Sequence, residues 1–298
     1  MFLAIVFLIL LAVLLAVSLH FTLFAIRPNC QSPEQQAEKE QRRNQMDPAL
    51  VQRPFECWEL YSGRGTKLTA RFYGCGKNEK IVLLNHGYNA PWVSMLKYLP
   101  LLQKEGYAVL LPDHQAQGGS QGKWITYGIL ESEDGLLWLE ELRSRFPSAE
   151  LAVMGESMGA ATALLIAEKA EGLRFCIADC PYSDTEEELR YMGRKKFHLP
   201  MVVVMPLCKI WFRLLTGRAM GEASPKKYLS QLKTPTLLIH GNDDRVVPVE
   251  MSRYLAENSA SITYWEAPGA PHAGVIGRYP EEYSRRLKEL EQSHEVIA

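Results

Sequence analysis

The chain has 298 residues, a formal net charge of -1 and 47% hydrophobic content. That length suffices for one large α/β domain, and the near-neutral charge gives no electrostatic footprint for nucleic acid. Six cysteines without a C-x-x-C pair, and the lack of an H-E-x-x-H string or a Walker loop, argue against a disulfide framework, a metal and a nucleotide. No cofactor is expected.

The first element is apolar. Residues 2–26 carry no formal charge, and only Ser18, His20 and Thr22 are polar. At ~1.5 Å per residue, such a helix exceeds the ~30 Å hydrocarbon layer of a bilayer. A secretory signal would show a basic start, a short apolar centre and a small-residue cleavage site. None is evident, and Arg27-Pro28-Asn29-Cys30 lacks the small residues of a lipoprotein cleavage site. The expectation is an uncleaved single-span cell-membrane anchor over 1–26. Arg27, Lys39, Arg42 and Arg43 follow the span, so the positive-inside rule favours a cytoplasmic domain. Residues 27–54 read as a polar tether, flexible over 31–47, and 55–298 as the globular domain.

Two antiparallel strands open that domain, at 57–62 and 66–73, around Gly63-Arg64-Gly65. An apolar run at 81–88 ends in His86-Gly87-Tyr88. A helix at 92–105, a strand at 107–112 and a helix at 131–145 follow. In the last, Leu136, Leu137, Leu139 and Leu142 keep a 3.6 period. Leu151-Ala152-Val153-Met154 reads as a buried strand that runs into Gly155-Glu156-Ser157-Met158-Gly159 and a small-residue helix. Strand, G-x-S-x-G, then helix is the context of a nucleophile elbow. Gly155 and Gly159 keep side chains out of a very sharp turn. The turn lifts the Ser157 hydroxyl clear of the sheet and sets the Met158 N–H where it can stabilise an anionic oxygen. The plainer reading of Ser157 is a helix N-cap.

The next strand ends at Asp179-Cys180-Pro181-Tyr182, and its Cys176 and Cys180 suit reduced core thiols. The following strand begins near Thr236. The intervening 182–233 is too long for an ordinary loop. It holds a charged helix at 184–196 and an apolar piece at 199–215, where Pro200, Pro206, Lys209 and Arg213 argue against a second membrane span. One reading is a helical lid, with Met201, Met205, Trp211 and Phe212 lining an acyl pocket or facing the membrane. The other is two helices packed on the core. After the strand from Thr236 come Asp243 and Asp244, a helix at 250–258, a strand at 261–265 and a loop presenting His272. A serine hydroxyl needs a base, and the base needs an orienting carboxylate. Behind this elbow the chain order is Ser, Asp, His.

These segments resemble the α/β-hydrolase family over roughly residues 55–290. His240, Gly241, Asp244, Val247 and Pro248 match the family's H-G-x-x-D-x-x-V-P segment. The resemblance implies Asp244 as the triad acid, with Asp243 as its turn neighbour. It implies His272, after the last strand, as general base, and the Tyr88 N–H as second oxyanion donor beside that of Met158. It also implies a lid in the 182–233 insertion. Residues 113–120 resemble the family's D-x-R-G-x-G-x-S loop, but Gln115 and Ala116 stand in place of Arg-Gly.

The implied fold is a mostly parallel eight-stranded sheet with helices on both faces and a helical lid insertion, consistent with the βαβ alternation. The implied function is a membrane-anchored serine hydrolase that cleaves a carboxylic ester or thioester of a small-molecule or lipid-like substrate through an acyl-enzyme. Related sequences are often described as prolyl-oligopeptidase-like or serine aminopeptidase-like. A peptidase is therefore the alternative, with Glu186 and Glu188 at the ends of a run that could hold a peptide amine. A non-catalytic binding protein on the same fold is the second alternative, and it predicts a broken triad. No sequence feature specifies an oligomer.

Overall fold

The structure, a computed structural model, describes residues 1–43 and 45–295. It opens with helix α1 (Phe2–Ile26) and helix α2 (Pro33–Arg42). Strands β1 (Glu56–Tyr61), β2 (Lys67–Tyr73) and β3 (Lys80–Asn85) follow. The helix expected at 92–105 is divided: a tight 3₁₀ stretch, Trp92–Tyr98, precedes α3 (Leu99–Lys104). Pro100 in the first turn of α3 has no N–H to continue a helix through it. Then come β4 (Tyr107–Pro112), α4 (Ile129–Arg145), β5 (Glu150–Glu156), α5 (Met158–Lys169) and β6 (Leu173–Asp179). Two helices, α6 (Thr185–Phe197) and α7 (Met201–Thr216), fill the long insertion before β7 (Thr236–Gly241). The chain closes with α8 (Val249–Glu257), β8 (Ile262–Ala267), α9 (Val275–Arg278) and α10 (Pro280–Glu295).

The eight strands form one sheet in the order β1-β2-β4-β3-β5-β6-β7-β8. The β1–β2 and β2–β4 pairs are antiparallel, and the remaining pairs are parallel. The strands β3 to β7 are buried on both faces, which is why they read as unbroken apolar runs, whereas β1 is largely exposed. Val82, Leu84, Val109 and Leu111 face one cluster with Tyr98, Tyr283 and Leu287. Ile81, Leu83 and Leu110 face another with Trp138 and Ala163. Burying each large apolar side chain contributes ~1.5–3 kcal/mol. A third cluster lies off the sheet, where Phe21 and Ile26 of α1 meet Leu189 of α6, Met205 and Phe212 of α7, Tyr127 and Met158.

The segment expected to be a flexible tether is instead tied to the domain. Ser32 caps α2 in a reciprocal box with Gln35, and Pro33 starts the helix; both devices favour helix initiation in a polar sequence. Glu40 of α2 is buried and lies 3.3 Å from the Lys97 ammonium. Met46 and Leu50 join the core beside Trp92 and Tyr73.

Candidate active site

Ser157, Asp244 and His272 follow the carboxyl ends of β5, β7 and β8, the rim where open α/β sheets place ligands. Ser157 has φ 57 and ψ -119, a sparsely populated backbone state that persists only where its surroundings enforce it. Its amide donates to the Asp179 carbonyl at 2.8 Å, and its own carbonyl accepts from Ala160 and Ala161 in the first turn of α5. Both flanking glycines are sterically required. A Cβ on Gly155 would lie 2.0 Å from the Gly159 oxygen, and one on Gly159 would lie 2.1 Å from the Asn85 oxygen. These are backbone atoms, so no side-chain adjustment relieves either clash.

His272 sits between the other two residues. Its Nε2 is 3.0 Å from Ser157 Oγ and its Nδ1 is 2.6 Å from Asp244 Oδ2. Of the two adjacent aspartates, Asp244 meets the imidazole, while Asp243 is exposed and pairs with Arg245 at 3.2 Å. Asp244 Oδ1 accepts the amides of Val246 and Val247 at 2.8 and 2.9 Å. Burial opposes the charge on Asp244, but hydrogen bonds from His240 and His272 outweigh it and hold the carboxyl far below the usual carboxylate range. His240 was not singled out from the sequence as a site residue. Its Nε2 lies 3.1 Å from Asp244 Oδ2 and its Nδ1 lies 2.7 Å from Ser252 Oγ. Its signal was present in the His-Gly-x-x-Asp string, which sets it four residues before the acid.

The Tyr88 turn is pinned by His86. The His86 Nε2 accepts the His114 amide at 3.0 Å, so Nδ1 carries the proton and donates to the Gly87 carbonyl at 2.8 Å. Burial lowers the pKa of both imidazoles and keeps them neutral. A Cβ on Gly87 would lie 3.5 Å from Ser157 Cβ, so the turn passes beside the serine. The amides of Tyr88 and Met158 donate to no protein acceptor among the described residues. In the loop that departs from the family pattern, Ala116 takes φ 60, the conformation a glycine would adopt more cheaply. Gln115 Nε2 donates to the Trp124 carbonyl, and Gln117 Oε1 accepts the Asn89 amide.

Behind the Ser157 turn lies a buried ionic network that sequence reasoning missed. Glu156 Oε2 is 2.7 Å from Lys97 Nζ and 2.7 Å from the Tyr98 hydroxyl. The same ammonium donates to the Ala273 carbonyl, one residue after His272, at 3.4 Å. Asp179 Oδ2 is reached by the hydroxyls of Tyr98 and Tyr283 at 3.0 and 3.2 Å. Burial first, and the Glu156 charge second, push Asp179 up to about 6. Lys97 stays charged: burial works to lower its pKa, but Glu156 and Glu40 raise it further.

The insertion residues Met201, Met205, Trp211 and Phe212 turn toward α1 and the core. Met201, Met205 and Phe212 are fully buried among α1, α6 and α7, with Met158 in the same cluster. Trp211 Nε1 donates to Ser18 Oγ of α1 at 3.1 Å. Of the four, only Trp211 is partly exposed. The outward side of α7 is the neighbouring stripe, because an apolar run discloses a period but not which face turns inward. Cys180 has a donor atom within 4.8 Å of those of Asp244 and His272. Burial holds its thiol well above the usual range, and the imidazole is already bonded on both nitrogens, so the trio is a poor metal site. A surface hollow of about 810 Å³ lies at the amino ends of β6 and β7, beside Lys169, Leu173 and Pro235, and contains none of these groups.

A family model described as "Serine aminopeptidase, S33" matches residues 76–217. The chain is 34% identical over 213 residues to the uncharacterized protein YqkD of Bacillus subtilis (strain 168), covering 70% of each. It is 26% identical over 215 residues to the acylamino-acid-releasing enzyme of Homo sapiens, covering 65% of this chain but only 28% of that enzyme. Among solved structures, the Pyrococcus furiosus esterase Pf2001 superposes with a TM-score of 0.67 at 26% identity, over 83% of this chain and 95% of its own. Est1E from Butyrivibrio proteoclasticus, with ferulic acid bound, shares the fold with a TM-score of 0.63 at 17% identity, over 80% and 99%. The chain therefore belongs to the serine aminopeptidase S33 family of α/β hydrolases.

Proposed function

We propose that this chain is a membrane-anchored serine hydrolase that cleaves carboxylic esters or thioesters through an acyl-enzyme. The observation that carries this reading is the single imidazole of His272 held 3.0 Å from Ser157 Oγ and 2.6 Å from Asp244 Oδ2. In the proposed reaction, His272 Nε2 takes the hydroxyl proton as Ser157 attacks the carbonyl carbon. Asp244 holds the proton on Nδ1 and stabilises the imidazolium. The amides of Tyr88 and Met158 receive the developing oxyanion, and each such donor is worth ~3–4 kcal/mol. The imidazolium then protonates the departing alcohol or thiol. Water, deprotonated by the same base, releases the acid and restores Ser157.

The apolar cluster around Met158 favours an acyl substrate, and the similarity to the Pyrococcus furiosus esterase Pf2001 points the same way. The 25-residue apolar helix α1 supports attachment to a membrane. A peptidase is the second reading, and Glu188 favours it. This carboxyl on α6 is buried, its Oε2 has no partner among the described residues, and burial, aided by the Asp244 charge, raises it to about 8. The amine of a peptide substrate would supply the missing cation.

The test uses the full chain in detergent, because Phe21, Ile26, Glu40 and Met46 contribute to the packed domain. A fluorophosphonate probe is expected to add one adduct, seen by intact mass. The adduct should vanish in Ser157→Ala and form at least ~10²-fold more slowly in His272→Ala. Absence of any adduct on the folded protein would leave a non-catalytic binding role. Turnover of p-nitrophenyl esters against aminoacyl amides then chooses the substrate class. Loss of amide turnover alone in Glu188→Gln would favour the peptidase.

A further inference from the structure

The anchor helix does not stand clear of the domain. Residues 2–13 of α1 are exposed, but Ser18, Phe21, Thr22, Ala25 and Ile26 are buried. Trp211 and Cys208 of α7 reach Ser18, at 3.1 and 3.6 Å. Phe197, just before α7, packs its ring on Phe21 and Phe24 at 5.5 and 4.9 Å. Contacts that move toward the end of α1 thus move toward the start of α7, so the two helices run antiparallel.

This register limits how α1 can enter a bilayer. Thr216, the last residue of α7, lies five positions past Trp211, about 7.5 Å further along α1 and level with about residue 13. Only the preceding three turns are free, about 18 Å of helix against a hydrocarbon layer of ~30 Å. A deeper position of α1 carries α7 in with it.

The outward face of α7 suits that environment. Val202, Val203, Ile210 and Leu214 are 83%, 51%, 54% and 68% exposed, and positions 202, 206, 210 and 214 share one stripe at i, i+4 spacing. A row of exposed branched apolar side chains beside an exposed apolar helix marks an interaction surface. Cations border it. Lys209 pairs with Glu186 at 2.7 Å, and Arg213 is exposed, with Glu222 acting on its charge but no direct ion pair among the described residues. Such side chains lay their stems on hydrocarbon and lift their charge to the phosphates.

We infer that α7 enters the lipid bilayer together with α1, with its outer stripe against acyl chains and Lys209 and Arg213 at the phosphates. This rests on the reading of α1 as membrane-inserted. The inner side of α7 lines the cluster that holds Met158, so one helix, ~10 Å thick, separates the lipid from the Ser157 turn. The substrate class that fits is an ester whose acyl chain resides in the bilayer.

The test places a photoreactive side chain on the full-length protein in vesicles of phosphatidylcholine and phosphatidylglycerol. The variants are Phe7→p-benzoylphenylalanine on α1, Ile210→p-benzoylphenylalanine and Leu214→p-benzoylphenylalanine on α7, and Tyr61→p-benzoylphenylalanine on exposed β1. Phospholipid adducts by mass spectrometry are expected at 7, 210 and 214 and not at 61, with the yield at 214 above that of Val202→p-benzoylphenylalanine. Adducts at 7 without adducts at 210 and 214 would overturn the α7 inference and leave the anchor standing. No adduct at 7 would remove both. A cross-link from 210 to a second copy of the chain would make the stripe a protein interface and overturn the inference.

Discussion

The carboxyls of Asp179 and Glu188 are both buried, the first at the Ser157 turn and the second within reach of the Asp244 charge, yet their surroundings are opposite. Asp179, on the sheet side, is met by two tyrosine hydroxyls and the field of Lys97, and sits at about 6. Glu188, on the side of α6 and α7, has no cation against it among the described residues and sits at about 8. The sheet side is a connected ionic network that ties Glu156, next to Ser157, to the loop of His272 through one ammonium. The other side is an apolar cluster that shields the same turn from water. On the proposed mechanism, the first side fixes where Ser157 and His272 stand and the second sets what can lie beside them. Both draw on the N-terminal segment, through Glu40 on the sheet side and Phe21 and Ile26 on the other.

That shared dependence gives the largest expected effect. A chain starting at Asp47 loses Glu40, Phe21 and Ile26 together. Lys97 keeps Glu156 but loses its second buried carboxylate, and each large apolar side chain lost costs ~2–3 kcal/mol. The sum approaches the ~5–15 kcal/mol that holds a typical domain. The truncated protein is expected to lack a cooperative unfolding transition by circular dichroism. A cooperative, fluorophosphonate-reactive product would mean that neither side needs the segment.

Lys97→Met attacks the sheet side alone. It strands Glu156 and Glu40 without their cation and is expected to cost ~3–5 kcal/mol in urea unfolding. Adding Glu156→Gln should recover part of that loss, because the stranded charge, not the missing contact, carries most of it. Since Lys97 holds the carbonyl beside His272, kcat should fall more than KM rises. Equal changes in both would make Lys97 merely structural. Met205→Ala attacks the other side. A cavity among Phe21, Val204 and Phe212 is expected to cost ~2–4 kcal/mol. Its kinetic effect should appear in KM for long acyl esters and leave short ones unchanged. An effect on kcat for acetate esters would break the division of labour.

The two sides also differ in how far the sequence discloses them. Ser157, Asp244 and His272 each sit in a local pattern of strand, turn and spacing, and the chain order of the three constrains them further. The sheet likewise follows from apolar runs alternating with helical periods. Glu40, Lys97 and Glu156 meet only through tertiary packing, and no spacing rule relates a polar helix near the start of the chain to a lysine in a 3₁₀ stretch. In α7 the difficulty is phase. Apolar residues occur on every side of residues 201–216, so Met201, Met205 and Phe212 look as suited to lipid as Val202, Ile210 and Leu214. Only the docking of α1 decides which stripe turns inward.

The finest test compares the two carboxyls by pH. Glu188 stays protonated in the folded protein up to about 8, against 4.5 for the free group. From pH 4.5 upward the unfolded chain releases this proton while the folded chain retains it. Unfolding is therefore increasingly favoured until about pH 8, and the penalty is constant above that. Glu188→Gln removes the penalty. Its urea midpoint should match the parent near pH 4.5, draw ahead as pH rises and hold its lead above 8, by ~1–3 kcal/mol. For Asp179 the corresponding window runs only from 3.8 to about 6, so any lead of Asp179→Asn should stop growing two pH units earlier. Coincident windows would mean that the tyrosines and Lys97 do not distinguish the sheet side from the side of α6. A lead for Glu188→Gln that shrinks with rising pH would mean that Glu188 is ionised in the folded protein, with a cationic partner supplied from outside the chain.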